Sequence, residues 1–481
     1  MLPCRAFGFL VLFTSLLVLM TGNSVGARPA RPAPPLPGPI GAVINVSTDA
    51  QLQAAVDRIA SNVTIVLAPG TYRLTRSLYF KGALKDIGIR GATGNSDDVV
   101  LIGPGMRLSD YGDVPYGIWT GDGVDGITIA NLTVRDFYFH PIIFNGGTDR
   151  PHVYNVHLID AGQQFIKSNP DAAGIGARDG LVEYSIFEFT TTARDDYPKA
   201  IDVHGGSNWT IRHNLFRNLQ APQGQLIGPA VLVWRGSSGT ITDGNTFLNC
   251  GRGIMYGGED AVGVSHRGGI IRNNVFYRSS AQPGDVGIHV ADSPNTHVLN
   301  NTVILSGTYA AAIEYRYAGA TGTVIANNLV DGTIQARDGA TASLRGNLVN
   351  ATPGMFVNPS AGDLHLRTTA SAAIDQGVTV SDVDTDWDGE PRPSGASFDV
   401  GADEHVVVAA ATPSRWSKPR ESVSIVSTRR AAPMSYTSGH VPSKGEANAS
   451  SRRCSGGGAC HVRPYHRGAN PSFAHRSTRR P

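Results

Sequence analysis

Three short stretches of this chain gather residue types that work together in acid–base chemistry. They are FIKSN around Lys167, AIDVHGGSNW with Asp202 and His204, and the loop TTTARDDYPK with Arg194, Asp195, Asp196 and Tyr197. A histidine beside an aspartate can act as a tuned general base, and Lys167 and Arg194 are cations able to neutralise a carboxylate. A base with such a cation is what β-elimination next to a uronate carboxylate requires. Glycoside hydrolysis instead uses two carboxyl groups about 5 to 9.5 Å apart. The competing interpretation is plainer: Lys167 and Asp202 form a solvated ion pair, and His204 is hydrogen-bonded into a turn. Asn169, Trp234, His289, Glu314, Arg316 and Arg337 extend the polar set over the next coils.

What could bring these residues together is a repeat. Segments such as DGITIANLTV, DGLVEYSIFE, NWTIRHNLFR, GGIIRNNVFY and NTHVLNNTVI align so that Asn131, Asn155, Tyr184, His213, Gly244, Asn273, Asn300, Asn327 and Gly346 share one column, spaced by 24, 29, 29, 31, 29, 27, 27 and 19 residues. In the next column stand six successive asparagines: Asn214, Asn245, Asn274, Asn301, Asn328 and Asn347. That is the pattern of an amide ladder in a turn, with one coil every ~4.8 Å. Each coil also carries a second strand (PIIFN, FIKSN, AIDVH, AVLVW, GIMYG, GIHVA, AIEYR, TIQAR) with apolar residues at period two. Runs this short, bounded by Gly, Asn, Asp and Pro, read as strands rather than helices. The expectation is an all-β right-handed parallel β-helix over residues 44–404. A sandwich or propeller would not place the asparagines in line.

The alternation assigns two outward columns on the second strand. One runs Ile143, Lys167, Asp202, Leu232, Met255, His289, Glu314, Gln335; the other runs Asn145, Asn169, His204, Trp234, Gly257, Ala291, Arg316, Arg337. Lys167 should then stand beside Asp202, Asn169 beside His204, Trp234 on the other side of His204, His289 beside Glu314, and Arg316 beside Arg337. Two stacked guanidinium groups call for an anion between them, or for Asp338. Asp202 and Glu314 lie four rungs, roughly 19 Å, apart and cannot serve as a hydrolytic pair. Asp202 with Asp195 or Asp196 could, but only through the loop; since Lys167, His204, Arg194 and Tyr197 supply a base and cations in one region, elimination ranks above hydrolysis. A flat polar wall with an aromatic platform at Trp234 suits a sugar polymer.

The remaining segments frame this domain. Arg5 followed by the apolar run from Ala6 to Met20 and the small residues Val25-Gly26-Ala27 reads as a signal peptide over 1–27, which predicts export and no transmembrane segment. Residues 28–43 are a proline-rich linker. Thr48 and Gln51 suit a capping box for a short helix with Leu52, Ala55, Val56 and Ile59 on one face, placed to cover the open end of the first coil. Residues 406–481 hold 13 basic and 2 acidic residues, leaving 28 basic and 37 acidic in the rest. This basic low-complexity tail from 405 onward reads as a solvated appendage without specific nucleic-acid binding. Cys250 reads as buried filler, while Cys454 and Cys460 flank a short loop. DVDTDWDG (382–389) begins like a calcium loop, with Asp384, Asp386 and Asp388, but Gly395 stands where the twelfth-position glutamate belongs. The expectation is an acidic turn closing the coil stack, no metal and no cofactor, with calcium as the alternative.

IVLAPGTYRLTRSLYF, the IRHNLF, IRNNVF and IANNLV coils, and DWDGEPRP…FDVGADE resemble bacterial secreted right-handed parallel β-helix repeat proteins of the pectate-lyase-like superfamily. AGQQFIKSNP is similar to the lysine-bearing strand of alginate and chondroitin lyases, which would make Lys167 a base. The LRHG-like strand those enzymes carry is not matched: the following strands read AIDVHG and AVLVWRG. SNWTIRHNLF resembles the WIDH strand of pectate lyases, but Arg212 replaces the aspartate. The paired-aspartate and GHG signatures of polygalacturonases are absent from this sequence. The resemblance implies the scaffold and leaves the reaction open; with the outward polar columns and the leader segment, the expectation is a secreted monomer acting on or binding polysaccharide, with a lyase of acidic polysaccharide first. The catalytic set would be Lys167, Asp202, His204 and Arg194, and the binding set Asn169, Tyr197, Trp234, His289, Glu314, Arg316 and Arg337. The alternatives are a non-catalytic carbohydrate-binding or cell-surface protein and a structural coat protein.

Overall fold

Apolar side chains at period two bury one face of each short strand, and stacking coils is the way such strands share a core. The computed structural model describes residues 31–39, 41–258 and 264–406 and realises this plan. The expected signal peptide, the tail beyond 406, and Cys4, Cys454 and Cys460 lie outside the described residues. A 20-stranded sheet collects two strands from most coils, and a ten-stranded sheet forms a wall running from Leu78–Lys81 to Thr333–Arg337. Pairing along the wall is parallel, Ile142 to Ile166 to Ile201 to Val231 to Ile254 to Ile288 to Ile313, and each of these is at most 1% exposed. Full burial of one such side chain stabilises by about 1.5–3 kcal/mol, so the column is a continuous source of stability along the stack. Phe187, Phe216, Phe247 and Phe276 form a second inward column, their rings 4.8, 4.6 and 4.4 Å apart and nearly parallel.

The corner between the two strands of the larger sheet explains both asparagine columns. Asn131, Asn155, Tyr184, His213, Gly244, Asn273, Asn300, Asn327 and Gly346 all have φ between 49° and 64°. That left-handed conformation favours Gly and Asn, which is why the column is rich in them. The following residue turns inward. Asn214, Asn245, Asn274, Asn301 and Asn328 each donate from Nδ2 to the Oδ1 of the next asparagine, at 3.0 Å for the first and 2.9 Å for the others. Each Oδ1 from Asn245 to Asn347 also accepts the backbone N–H of the preceding asparagine at 2.9–3.1 Å. The ladder thus satisfies buried backbone as well as itself.

The helix Asp49–Asp57 is capped by Thr48 Oγ1, which accepts from the Gln51 N–H, while Gln51 reaches back to the Ser47 N–H at 2.8 Å; Leu52, Ala55 and Val56 are buried. Cys250 is buried, and its thiol is pushed up to about 12 by burial. The chain after Ala351 lies along the flank of the larger sheet instead of closing the stack. Trp387, Val400 and Ala402 pack on Val275, Ile304 and Leu329. Asn273, Asn300 and Asn327 donate to the carbonyls of Thr385, Asp399 and Val378 at 3.0, 3.1 and 2.7 Å. Asp386 Oδ1 accepts the N–H groups of Asp388 and Glu390, and its Oδ2 accepts that of Glu404, so this carboxylate organises the turn itself. Residues 31–39 follow the same flank. Arg31 donates to the carbonyls of Trp387 and Asp388 at 3.0 and 2.8 Å, Arg90 donates to the Pro37 carbonyl at 2.7 Å, and the Tyr154 hydroxyl donates to that of Pro34.

Candidate functional site

Outward positions of the wall carry the polar residues, and parallel register makes neighbours of residues about 30 apart in sequence. Lys167 pairs in register with Asp202, and His204 with Trp234. Lys167 Nζ donates to Asp202 Oδ2 and to His204 Nε2, both at 2.7 Å. Trp234 Nε1 donates to Asp202 Oδ1 at 3.0 Å, and His204 Nε2 lies 3.1 Å from the same oxygen. His204 Nε2 either carries a proton or accepts one. Its contact with Lys167 therefore belongs to the neutral ring, and its contact with Asp202 to a ring protonated at Nε2. The side chains of Lys167 and Asp202 are 7% and 2% exposed, and that of His204 12%.

Burial sets the charges. Desolvation draws Lys167 below its ordinary range against the opposing pull of Asp202. Desolvation also lowers His204 despite its hydrogen bond to Asp202, favouring the neutral ring near pH 7. For Asp202, burial works upward, but the hydrogen bond from His204 and the charge of Lys167 outweigh it, and the carboxyl sits below the usual range. The result is a carboxylate orienting a desolvated ammonium, an imidazole and an indole.

The loop 190–199 overhangs the strand, but its arginine points elsewhere. Arg194 donates to Asp195 and to the Tyr138 carbonyl, both at 3.1 Å, and its guanidinium lies 4.4 Å from the centre of the Tyr138 ring. Tyr197 is 51% exposed, with the Lys199 ammonium 4.5 Å from its ring centre. Burial and then the Asp202 charge hold its phenol above the ordinary value. Asn169 donates to Asn145 Oδ1 at 3.1 Å, down the stack and away from His204.

Further along, the wall opens into a cavity of about 340 Å³ lined by Arg252, Asp285, His289, Tyr309, Glu314, Arg316 and Arg337 among others. His289 and Glu314 are in register, yet Glu314 accepts from the Tyr309 hydroxyl at 3.0 Å and from Arg337 at 3.2 Å. His289 Nε2 is buried without a hydrogen-bond partner among the described residues. The stacked Arg316 and Arg337 need no anion between them, since Arg316 pairs with Asp338 and Arg337 with Glu314. Arg252 holds Asp285 at 2.9 Å.

Sequence reasoning missed several groups at both places. His140 stacks 5.8 Å from Tyr116, and its Nδ1 donates to the Gln164 carbonyl at 3.1 Å. Its pKa is lowered to about 3, chiefly by burial, and Lys167 adds to that lowering. Arg235 lies 4.6 Å over the Trp234 ring. Asp285, Arg252 and Tyr309 come from loops outside the strand columns. The position of Arg235 immediately after the wall strand was the one available signal.

A parallel solenoid with a polar outer wall is the class these observations define. The family model for the right handed beta helix region matches residues 116–372, more than half of the chain, and the chain belongs to that family. Among solved structures, the chain is similar to an alginate lyase from a Paenibacillus species, at 20% identity over 64% of this chain and 99% of that one, with a TM-score of 0.41. It is similar to PfbA, a surface adhesin of Streptococcus pneumoniae, at 14% identity over 63% and 87%, TM-score 0.41. It is also similar to a polygalacturonase from Erwinia carotovora, at 11% identity over 65% and 100%, TM-score 0.37. No curated protein matches the chain. No helix among the described residues is long and apolar enough to cross a membrane.

Proposed function

We propose that this is an exported protein that binds an acidic polysaccharide along the ten-stranded wall and cleaves it by β-elimination at Lys167, Asp202 and His204. The observation that carries the reading is Lys167 Nζ meeting Asp202 Oδ2 and His204 Nε2, each at 2.7 Å, on outward positions of a rigid wall. In such an elimination the proton α to the uronate carboxylate passes to a base. Its electron pair forms the C4–C5 double bond, and the C4–O bond breaks, with the departing glycosidic oxygen taking a proton. His204, neutral through burial, is the base, exchanging Lys167 for the substrate proton at Nε2. Once protonated there, the ring donates to Asp202 Oδ1, 3.1 Å away, so both states have a partner. Lys167, ion-paired with Asp202, offers charge to the substrate carboxylate. Tyr197, held protonated, is the candidate proton donor from the loop.

The test is incubation with alginate, pectate and glycosaminoglycans, following ultraviolet absorbance of unsaturated products. Product formation that disappears in His204→Ala supports the reading; an inactive wild type on the whole panel sinks it. The low exposure of Lys167 and Asp202 favours a second reading, a non-catalytic glycan-binding wall centred on Trp234. Retention on a glycan column without cleavage, weakened by Trp234→Ala, would support that one.

A further inference from the structure

Away from the wall, in the segment folded along the flank, three side chains from separate parts of the chain converge. His365 stands on the strand Asp363–Leu366, Asp388 on the turn after Trp387, and Asp403 near the end of the described residues. His365 Nε2 and one carboxylate oxygen from each aspartate lie within 4.8 Å of one another. His365 Nε2 is 2.5 Å from Asp388 Oδ2 and 4.0 Å from Asp403 Oδ1.

We propose that His365, Asp388 and Asp403 form a site for a zinc-like divalent transition cation that fastens the flanking segment.

Three features separate this group from an ordinary acidic turn. First, Asp403 is a buried carboxylate, its side chain 5% exposed. Its Oδ2 accepts the Leu366 N–H at 2.7 Å, while Oδ1 accepts no hydrogen bond among the described residues and is directed at His365 across a gap too wide for one. A carboxylate so largely buried, with one oxygen given no donor, is stabilised when a cation supplies the missing charge. Second, Asp363 Oδ1 lies 2.6 Å from His365 Nδ1. A carboxylate on the far nitrogen fixes the ring so that Nε2 faces the cluster, the arrangement found behind metal-bound histidines. Third, the donors are one imidazole nitrogen and two carboxylates, suited to zinc at about 2.0–2.2 Å from each, with solvent for the fourth place. His365 and Asp388 are 32% and 27% exposed, which leaves an entry path. An ion at those lengths widens the His365–Asp388 contact and narrows that of Asp403. Asp386, whose oxygens are occupied by backbone N–H groups, is no ligand.

The cation would join the strand, the turn that holds Arg31, and the last described coil. Full-length protein treated with chelator and desalted would be titrated calorimetrically with zinc, with manganese and calcium as separate arms. Cys454, Cys460 and the tail histidines can also take zinc, so the informative quantity is the equivalent that variants lose. The expected result is one zinc equivalent absent or weakened at least tenfold in both His365→Gln and Asp403→Asn, and a rise of a few degrees in the Tm of the wild type that both variants lack. Identical titrations for wild type and variants, or calcium binding at this site in preference to zinc, overturn the proposal. Should Asp403→Asn fail to fold by circular dichroism, Asp388→Asn on the half-buried turn takes its place with the same expectations.

Discussion

At the residue scale, Asp202 is where structural and chemical readings of the wall part company. Its two oxygens take Lys167 and Trp234, and His204 lies alongside. Asp202→Asn keeps the shape but leaves the Lys167 ammonium buried without a counter-charge, which costs on the order of 3 kcal/mol, read as a lower urea midpoint. If the cluster catalyses, activity also falls by about 100-fold or more. Lys167→Met with Asp202→Leu removes both charges together. Most of the stability should return, while any lyase activity stays lost; a double variant that still forms unsaturated product would show that the pair is merely structural. The pairing of Lys167 with Asp202 was legible because alternation and coil register depend on backbone geometry alone. The aim of Arg194 and the partners of Arg316 were not, because long side chains choose among several carboxylates and carbonyls within reach.

At the element scale, the asparagine ladder stabilises the corner more than any one hydrogen bond suggests. Asn274 Oδ1 accepts both the backbone N–H and the Nδ2 of Asn245, and its own Nδ2 donates to the Thr242 carbonyl and to Asn301. Asn274→Ala therefore strands buried donors of Asn245 on one side and takes a donor from the Thr242 carbonyl and Asn301 Oδ1 on the other, at about 1–3 kcal/mol for each group left unpaired. Asn347, at the end of the column and half-buried, has no following rung, and Asn347→Ala should cost clearly less in the same urea titration. Equal losses would mean that the ladder follows the fold without supporting it. The column was readable because asparagines recurring once per coil at one register have to stack when the coils do. The flanking course of residues 351–405 was not. Its contacts are made by Trp387 and by backbone carbonyls against Asn273, Asn300 and Asn327, which in sequence look like turn residues alone.

At the scale of the whole molecule, histidines buried without charge should make the solenoid sensitive to acid. His140 and His266 are held to about 3, and His213 to about 4, each chiefly through burial. His266 sits between Ser293 Oγ at 2.9 Å and Thr240 Oγ1 at 3.2 Å, partners that a neutral ring satisfies fully. In the unfolded chain these rings take a proton as pH falls through about 6.5, whereas the folded rings refuse it until far lower. Stability is therefore complete above that value and declines as pH falls toward 3, by up to about 1.4 kcal/mol per unit for each fully buried ring. Asp403, raised to about 7 by burial, works in the opposite sense, since its neutral form favours the fold in acid. His365, raised to about 9 chiefly by its hydrogen bond with Asp388, and Glu390, Asp399 and Glu404, raised chiefly by burial, act in that same sense, while His204 and His289, lowered chiefly by burial, join the acid-sensitive rings. The urea midpoint should drop between pH 7 and pH 4.5 where the buried rings dominate, and His266→Gln, which keeps hydrogen-bonding groups without a titrating ring, should flatten that slope. An unchanged slope in the variant would place a proton on His266 in the native state and remove it from the acid-sensitive set.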